Sequence, residues 1–246
     1  MLSPLSYVGS KRLDIKFFKQ YLPPNIKKTV EPFCGGGAVS LYLYNINNNI
    51  DCFLNDTDTC LINYFLDMKT KAQNIVDKVN NFTDTMTKET FMAEIKKFKT
   101  SNYSDEDRSY YYYFYNKIHG IRIGMYPCRT AGKINLEKFQ PYLSWVKKAV
   151  FSNDDFNVTL NKFKDDEDAF VFLDPPYMDA HNSNYSLYNK PKIDIVDDGI
   201  KKKRMIVDNT KIFIDILKFI ETAKCKVMLI INKNGITSYI YRDGII

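Results

Sequence analysis

Histidine is nearly absent from this chain of 246 residues, which carries only His119 and His181. A histidine-based triad, or a metal held by imidazoles, needs several such side chains brought together, so both kinds of catalysis are disfavoured. Cysteine is also sparse. There are five, at positions 34, 52, 60, 128 and 225, an odd number without paired spacing, which argues against a disulfide framework and against a zinc site. No apolar run approaches the ~20 residues of a membrane span, and Met1-Leu2-Ser3-Pro4 opens no signal-peptide pattern. The expectation is a soluble, intracellular protein with neither membrane nor metal. No large excess of one charge exists either, since 35 Lys and Arg against 29 Asp and Glu leave a formal +6. What remains is a globular composition, 45% apolar and 26% charged, in a length that suits one domain carrying an insertion.

The clearest signal in what is present is Phe170-Val171-Phe172-Leu173 followed by Asp174-Pro175-Pro176-Tyr177. Four uncharged apolar residues read as a buried strand, and two prolines end it because neither can donate to a ladder. The strand delivers a carboxylate and a phenol to the carboxyl edge of a sheet, where open α/β folds bind ligands.

Three further stretches precede it. Tyr7-Val8-Gly9-Ser10-Lys11 leads into an amphipathic helix from Leu13 to Tyr21, closed by Pro23-Pro24; glycine permits close approach to a ligand and Lys11 supplies a cation there. Thr29-Val30-Glu31-Pro32-Phe33 runs into Cys34-Gly35-Gly36-Gly37-Ala38 and then the helix begun by Val39, Leu41, Tyr42 and Leu43. A strand, a glycine turn and a helix make the first βα unit of a nucleotide-type fold, although neither the Gly-x-Gly-x-x-Gly pattern nor the Lys-Ser/Thr of a phosphate loop is present. Asp51-Cys52-Phe53-Leu54 forms the next strand and ends in Asn55-Asp56, about twenty positions after the glycines, where a carboxylate either meets ribose hydroxyls or caps the helix from Asp58 to Met68.

Between Lys69 and Phe151 the strand signal gives way to polar helical sequence. Ser104-Asp105-Glu106-Asp107 is a capping start for a helix through Tyr110-Tyr111-Tyr112-Tyr113-Phe114-Tyr115 to Ile118, whose aromatics point all round and therefore favour packing over base stacking. A turn-rich basic loop follows, from Gly120 to Lys133. Residues 117–148 carry seven Lys or Arg and one Glu, a difference of +6 that equals the whole chain's formal charge. A basic excess concentrated this way is the footprint of a nucleic-acid face. Leu136 to Val150 reads as a helix around Trp145, Ala149 to Ser152 as a possible strand, and Asp165-Asp166-Glu167-Asp168 as a solvated loop. Residues 178–203 are polar, Lys201-Lys202-Lys203-Arg204 is a short basic run, Ile212 to Ile220 has helical spacing, and Val227 to Ile231 is a further strand.

Tyr7 to Lys11, Pro32 to Gly37, Asn55-Asp56 and Asp174 to Tyr177, in that order, resemble the motifs of the Dam-type DNA adenine-N6 methyltransferases. The resemblance extends to the Tyr-rich helix, the Gly/Arg loop and the C-terminal strand. It implies an α/β, Rossmann-like methyltransferase sheet with helices on both faces, built from residues 1–68 and 149–246, and a mainly helical DNA-recognition insertion at 69–148. By the same resemblance, Tyr7, Lys11, Phe33, Gly35, Gly37, Asp56 and Asp174 bind S-adenosylmethionine, and Asp174, Pro175, Pro176 and Tyr177 form the catalytic motif. Arg122, Arg129 and Lys133 are the nucleic-acid contacts of the basic loop. The partner implied is double-stranded DNA with a flipped adenine, bound by a monomer or a homodimer. Three departures stand out: Ser10 replaces a second glycine, the segment after Asn116 is shorter than the usual Asn-Gly-x-x-Arg arrangement, so that either Arg122 or Arg129 takes the base-reading role, and the chain reaches Ile246 soon after its last strand, where the family adds two more.

An exocyclic adenine amine is a poor nucleophile because its lone pair is delocalised into the ring. Asp174 accepting one N–H and the Pro175 carbonyl the other would localise that pair, while Tyr177 stacks on the extruded base. Cytosine-N4 or RNA adenine transfer is the nearer rival, and a non-catalytic nucleic-acid-binding relative the more distant one. A cytosine-C5 enzyme built on Pro127-Cys128 lacks its downstream motifs and leaves Asp174 to Tyr177 without a purpose.

Overall fold

The computed structural model describes residues 3–7, 9–116, 133–176 and 209–231. Its strands are β1 (Lys28–Glu31), β2 (Asp51–Asn55), β3 (Val150–Ser152), β4 (Ala169–Leu173) and β5 (Lys226–Leu229). Its helices are α1 (Ile15–Phe18), α2 (Ala38–Ile46), α3 (Thr59–Thr70), α4 (Ala72–Thr85), α5 (Lys88–Thr100), α6 (Arg108–Phe114), α7 (Gln140–Lys148), α8 (Phe156–Phe163) and α9 (Thr210–Thr222). The strands join in one parallel sheet of order β3-β2-β1-β4-β5. This is the Rossmann-like α/β arrangement that the motifs imply.

Parallel neighbours need crossovers, and the helices supply them on both faces. β4 is buried at all five positions. Phe170 and Phe172 join the core shared with α2, α3, α6 and α7, whereas Ala169, Val171 and Leu173 join the core under α8 and α9. A strand covered on both sides has no polar face to alternate with, which is why it reads as an unbroken apolar run. The order reverses between β1 and β4: the chain leaves β1 for β2 on one side and returns through β3 and α8 to β4 on the other. The crevice of such a sheet opens at the carboxyl ends of these two strands.

Between β2 and β3 the described residues form helices and connecting turns with no strand, and the aromatics there are structural. Tyr112, Tyr113 and Phe114 of α6 are fully buried, with Tyr64 of α3 stacked on Tyr113 at 5.6 Å between centroids. The start of α6 differs from the capping expected of Ser104. Its hydroxyl donates instead to the Asp107 carboxylate at 3.1 Å, and residues Asp105–Asp107 wind into a 3-10 turn. Asp107 also pairs with Lys78 on α4, while Asp105 pairs with Arg108 at the start of α6. The acidic run ahead of β4 is likewise paired rather than merely solvated, through Lys224–Asp165, Lys28–Asp166 and Lys27–Asp168.

Candidate active site

The N-terminal stretch lies across the crevice. Lys11 is buried, and its Nζ sits 2.8 Å from Asp174 Oδ2, immediately past the end of β4. Gly9, at φ +80°, turns its carbonyl to within 3.4 Å of the same Nζ. A few residues earlier the ring of Tyr7 covers the glycine loop so closely that a Cβ on Gly35 would fall 2.7 Å from Tyr7 Cε1. One short segment therefore joins the loop after β1 to the carboxylate after β4. Burial pushes the Asp174 carboxyl above its usual value, and Lys11 opposes that shift.

The glycine loop is required by both conformation and space. Gly37 has φ +61°, and a Cβ there would stand 2.6 Å from Trp145 Cη2 and 2.8 Å from Leu54 Cδ2. Trp145, fully buried on α7, donates from Nε1 to Ser40 Oγ at 3.0 Å. The Ser40 amide in turn donates to Glu31 Oε1 at 2.7 Å. Glu31 is buried at the end of β1, and burial raises its pKa to about 8, with the nearby Asp174 charge adding and the Ser40 amide opposing. Its carboxyl group is therefore largely protonated at neutral pH.

The Asn-Asp pair after β2 divides its labour. Asn55 is fully buried: its amide donates to the carbonyls of Pro32 at 3.1 Å and Asp154 at 3.0 Å, while its oxygen accepts from Ser152 Oγ and the Asp154 amide, both at 2.8 Å. It fastens the carboxyl ends of β1, β2 and β3 together. Asp56 accepts the Gly35 amide on Oδ2 at 2.9 Å and the Asp58 amide on Oδ1 at 3.0 Å, so it anchors the glycine loop. The cap of α3 is Asp58, whose Oδ1 accepts from Cys60 and Leu61. Its Oδ2 accepts the Tyr112 hydroxyl at 3.3 Å, and burial lifts its pKa to about 6.

Tyr7, Lys11, Gly35, Gly37, Asp56 and Asp174 thus come together at one sheet edge, with Pro175 buried and Pro176 half-buried beside them. Phe33 turns toward the other layer, its ring 4.9 Å from that of Phe156 on α8. Tyr177, Arg122 and Arg129 lie outside the described residues. Lys133 is exposed and pairs with Asp84 on α4 at 2.9 Å, a contact that bound phosphate could replace at little cost. Sequence reasoning passed over Glu31, Asp58, Tyr112 and Trp145. A carboxylate at the end of the short strand Thr29-Val30-Glu31 and the chain's single tryptophan were the available signals. Among the described residues no group of three or more His, Cys, Asp or Glu could hold a metal, and no helix is long and apolar enough to cross a membrane.

Comparison with known proteins agrees with this geometry. The family model described as D12 class N6 adenine-specific DNA methyltransferase matches residues 7–209. A DNA N-6-adenine-methyltransferase of Escherichia phage P1 is 27% identical over 201 residues, 75% of this chain and 26% of that protein. The chain therefore spans about a quarter of that relative's length. Type II methyltransferase M.CviBI of Paramecium bursaria Chlorella virus NC1A is 25% identical over 186 residues, 70% of this chain and 68% of that one. Type II methyltransferase M.MjaIII of Methanocaldococcus jannaschii is 23% identical over 223 residues, 79% and 75% of the two chains.

Proposed function

Since the chain belongs to the D12 class of N6 adenine-specific DNA methyltransferases, we propose that it methylates the N6 amine of adenine in double-stranded DNA with S-adenosylmethionine as donor. The observation that carries this reading is the buried Lys11–Asp174 pair at the switch point, beside a glycine loop held by Asp56. When bound, S-adenosylmethionine supplies an electrophilic sulfonium methyl group.

The residues at this edge suit such a ligand. Asp56 uses two of its acceptor positions on Gly35 and Asp58 and, as a carboxylate, retains others for ribose hydroxyls. The missing side chains let Gly35 sit directly under the Tyr7 ring and Gly37 against Trp145 and Leu54, which holds the loop backbone close beside the crevice. Asp174 meets Lys11 through Oδ2, which leaves Oδ1 for one N–H of the target amine. Lys11 also opposes the rise that burial imposes on that carboxyl and so favours its charged form, the stronger acceptor for the amine. The Pro175 carbonyl takes the second N–H, and its fixed φ holds the acceptor still. Two acceptors aligned on one NH2 localise its lone pair toward the methyl donor, so catalysis rests on positioning and electrostatics. Tyr177 stacks on the extruded base, residues 69–148 recognise the target, and Arg122, Arg129 and Lys133 contact DNA in this proposal.

The test is incubation with unmethylated DNA and isotopically labelled donor, followed by nucleoside mass spectrometry. Label in N6-methyl-2′-deoxyadenosine supports the proposal, label in N4-methyl-2′-deoxycytidine redirects it to the cytosine amine, and no transfer despite cofactor binding leaves a non-catalytic relative.

A further inference from the structure

The geometry points to Tyr112 as a positioning residue that couples the glycine loop to the DNA-recognition insertion through its hydrogen bond to Asp58. This inference rests on the function proposed above. A continuous chain of hydrogen bonds links the two regions. Gly35 donates to Asp56 Oδ2, the Asp58 amide donates to Asp56 Oδ1, and Tyr112 donates to Asp58 Oδ2. The Asn116 side chain then donates to the Tyr112 carbonyl at 2.9 Å. Asp58, Tyr112 and Asn116 are all buried. The basic stretch with Arg122 and Arg129 begins directly after Asn116. Its far flank is tied as well, because the Asn80 side chain on α4 both accepts from the Ile134 amide and donates to the Ile134 carbonyl at 2.9 Å.

The Tyr112 hydroxyl does more than complete a core. Asp58 caps α3 with its other oxygen, and the Tyr112 ring already packs against Tyr64 at 5.8 Å. Neither contact needs the hydroxyl. The bond it makes is also long: hydrogen bonds from a hydroxyl to a carboxylate normally close to about 2.6 Å, and this one stands at 3.3 Å. A small displacement of the turn between β2 and α3 toward α6 therefore strengthens it appreciably. A ligand that presses on Gly35 or Asp56 moves that turn. By linkage, DNA that repositions α6 must change cofactor affinity by the same factor that cofactor changes DNA affinity.

The dissociation constant of S-adenosylhomocysteine, a non-reactive product, is to be measured by calorimetry with and without sheared unmethylated DNA. The fluorescence of Trp145, packed against Gly37, provides a second readout. In the wild type DNA should alter the constant by about fivefold or more. Tyr112→Phe should keep the DNA-free constant within about twofold and reduce the DNA effect below about twofold. Asp58→Ser, whose hydroxyl can still cap α3 at Cys60 and Leu61 but offers no second oxygen to Tyr112, carries the same expectation and serves if Tyr112→Phe does not fold. An undiminished DNA effect in a folded variant, even one with a lowered melting temperature, assigns the hydroxyl to packing alone and overturns the inference. So does a wild type that binds both ligands independently. A wild type that binds neither overturns the proposed function together with it.

Discussion

At the carboxyl end of the sheet Lys11 meets Asp174 at 2.8 Å, and at the amino end Lys27 meets Asp168 at 2.9 Å. The residue types are the same and the distances nearly so, yet the two carboxyl groups shift in opposite directions. The Asp168 carboxyl falls below its usual value, chiefly through the hydrogen bond from Lys27, whereas the Asp174 carboxyl rises because burial outweighs Lys11. Side-chain exposure separates them, at 67% and 52% for the amino-end pair against 10% and 19% for the carboxyl-end pair. Water stabilises an exposed carboxylate whether or not a lysine is near, so that pair adds little. A buried carboxylate depends on its partner, and removing the partner leaves an uncompensated charge. Burial at a strand end therefore turns an ordinary ion pair into a site whose protonation state can be controlled.

Asp174→Ala gives the largest expected effect: a loss of methyl transfer of more than about a hundredfold, with the circular-dichroism spectrum unchanged. Activity within about tenfold of wild type, which is only ~1.4 kcal/mol of barrier, would remove Asp174 from the chemistry. Next comes Lys11→Met, which deletes the influence opposing burial. Asp174 then ionises only at higher pH, so the acid limb of the kcat/KM profile should move upward in pH, with a loss of about tenfold at its acid end. An unmoved limb would mean that Lys11 does not control Asp174.

Glu31→Gln sharpens the comparison without a lysine. The folded pKa of about 8 lies above the ordinary 4.5, so the folded state holds a proton the unfolded state releases, and stability should decline as pH rises through that interval. Glutamine keeps an acceptor for the Ser40 amide and cannot ionise. Its melting temperature should be a few degrees above wild type at pH 8, with a flatter pH dependence; parallel curves for the two proteins would contradict the buried, protonated assignment. The smallest effect belongs to the amino end. Lys27→Ala should leave the melting temperature within about 2 °C and methyl transfer unchanged, and a larger loss in either would break the contrast between the two ends.

Much of the fold was legible because its signals are local. β4 is an apolar run ended by Asp174-Pro175-Pro176, β1 stops at Pro32, and α3 starts just after the Asn55-Asp56 pair that closes β2. β3 could be read only as possible, since three residues carry little pattern and Val150 is half exposed; pairing with β2 makes it a strand. Among the candidate site residues, Tyr7, Lys11, the glycines, Asp56 and Asp174 could be named from motif order. Their partners could not. Asp56 could have been cap or ligand contact, and its anchoring of Gly35 depends on how two loops after neighbouring strands face each other.

That a carboxylate would follow a fully buried strand, and glycines the first strand, could be read from the amino-acid order. Both follow from steric and hydrogen-bonding properties of a few adjacent residues. The tertiary structure alone decided that Trp145 would support the glycine loop across 105 positions and that Tyr112 would reach Asp58 across 54. It also decided that Lys11 would arrive at Asp174 in a place dry enough to raise its carboxyl pKa. Burial and partner choice are properties of the packed layers, and no window of sequence contains them.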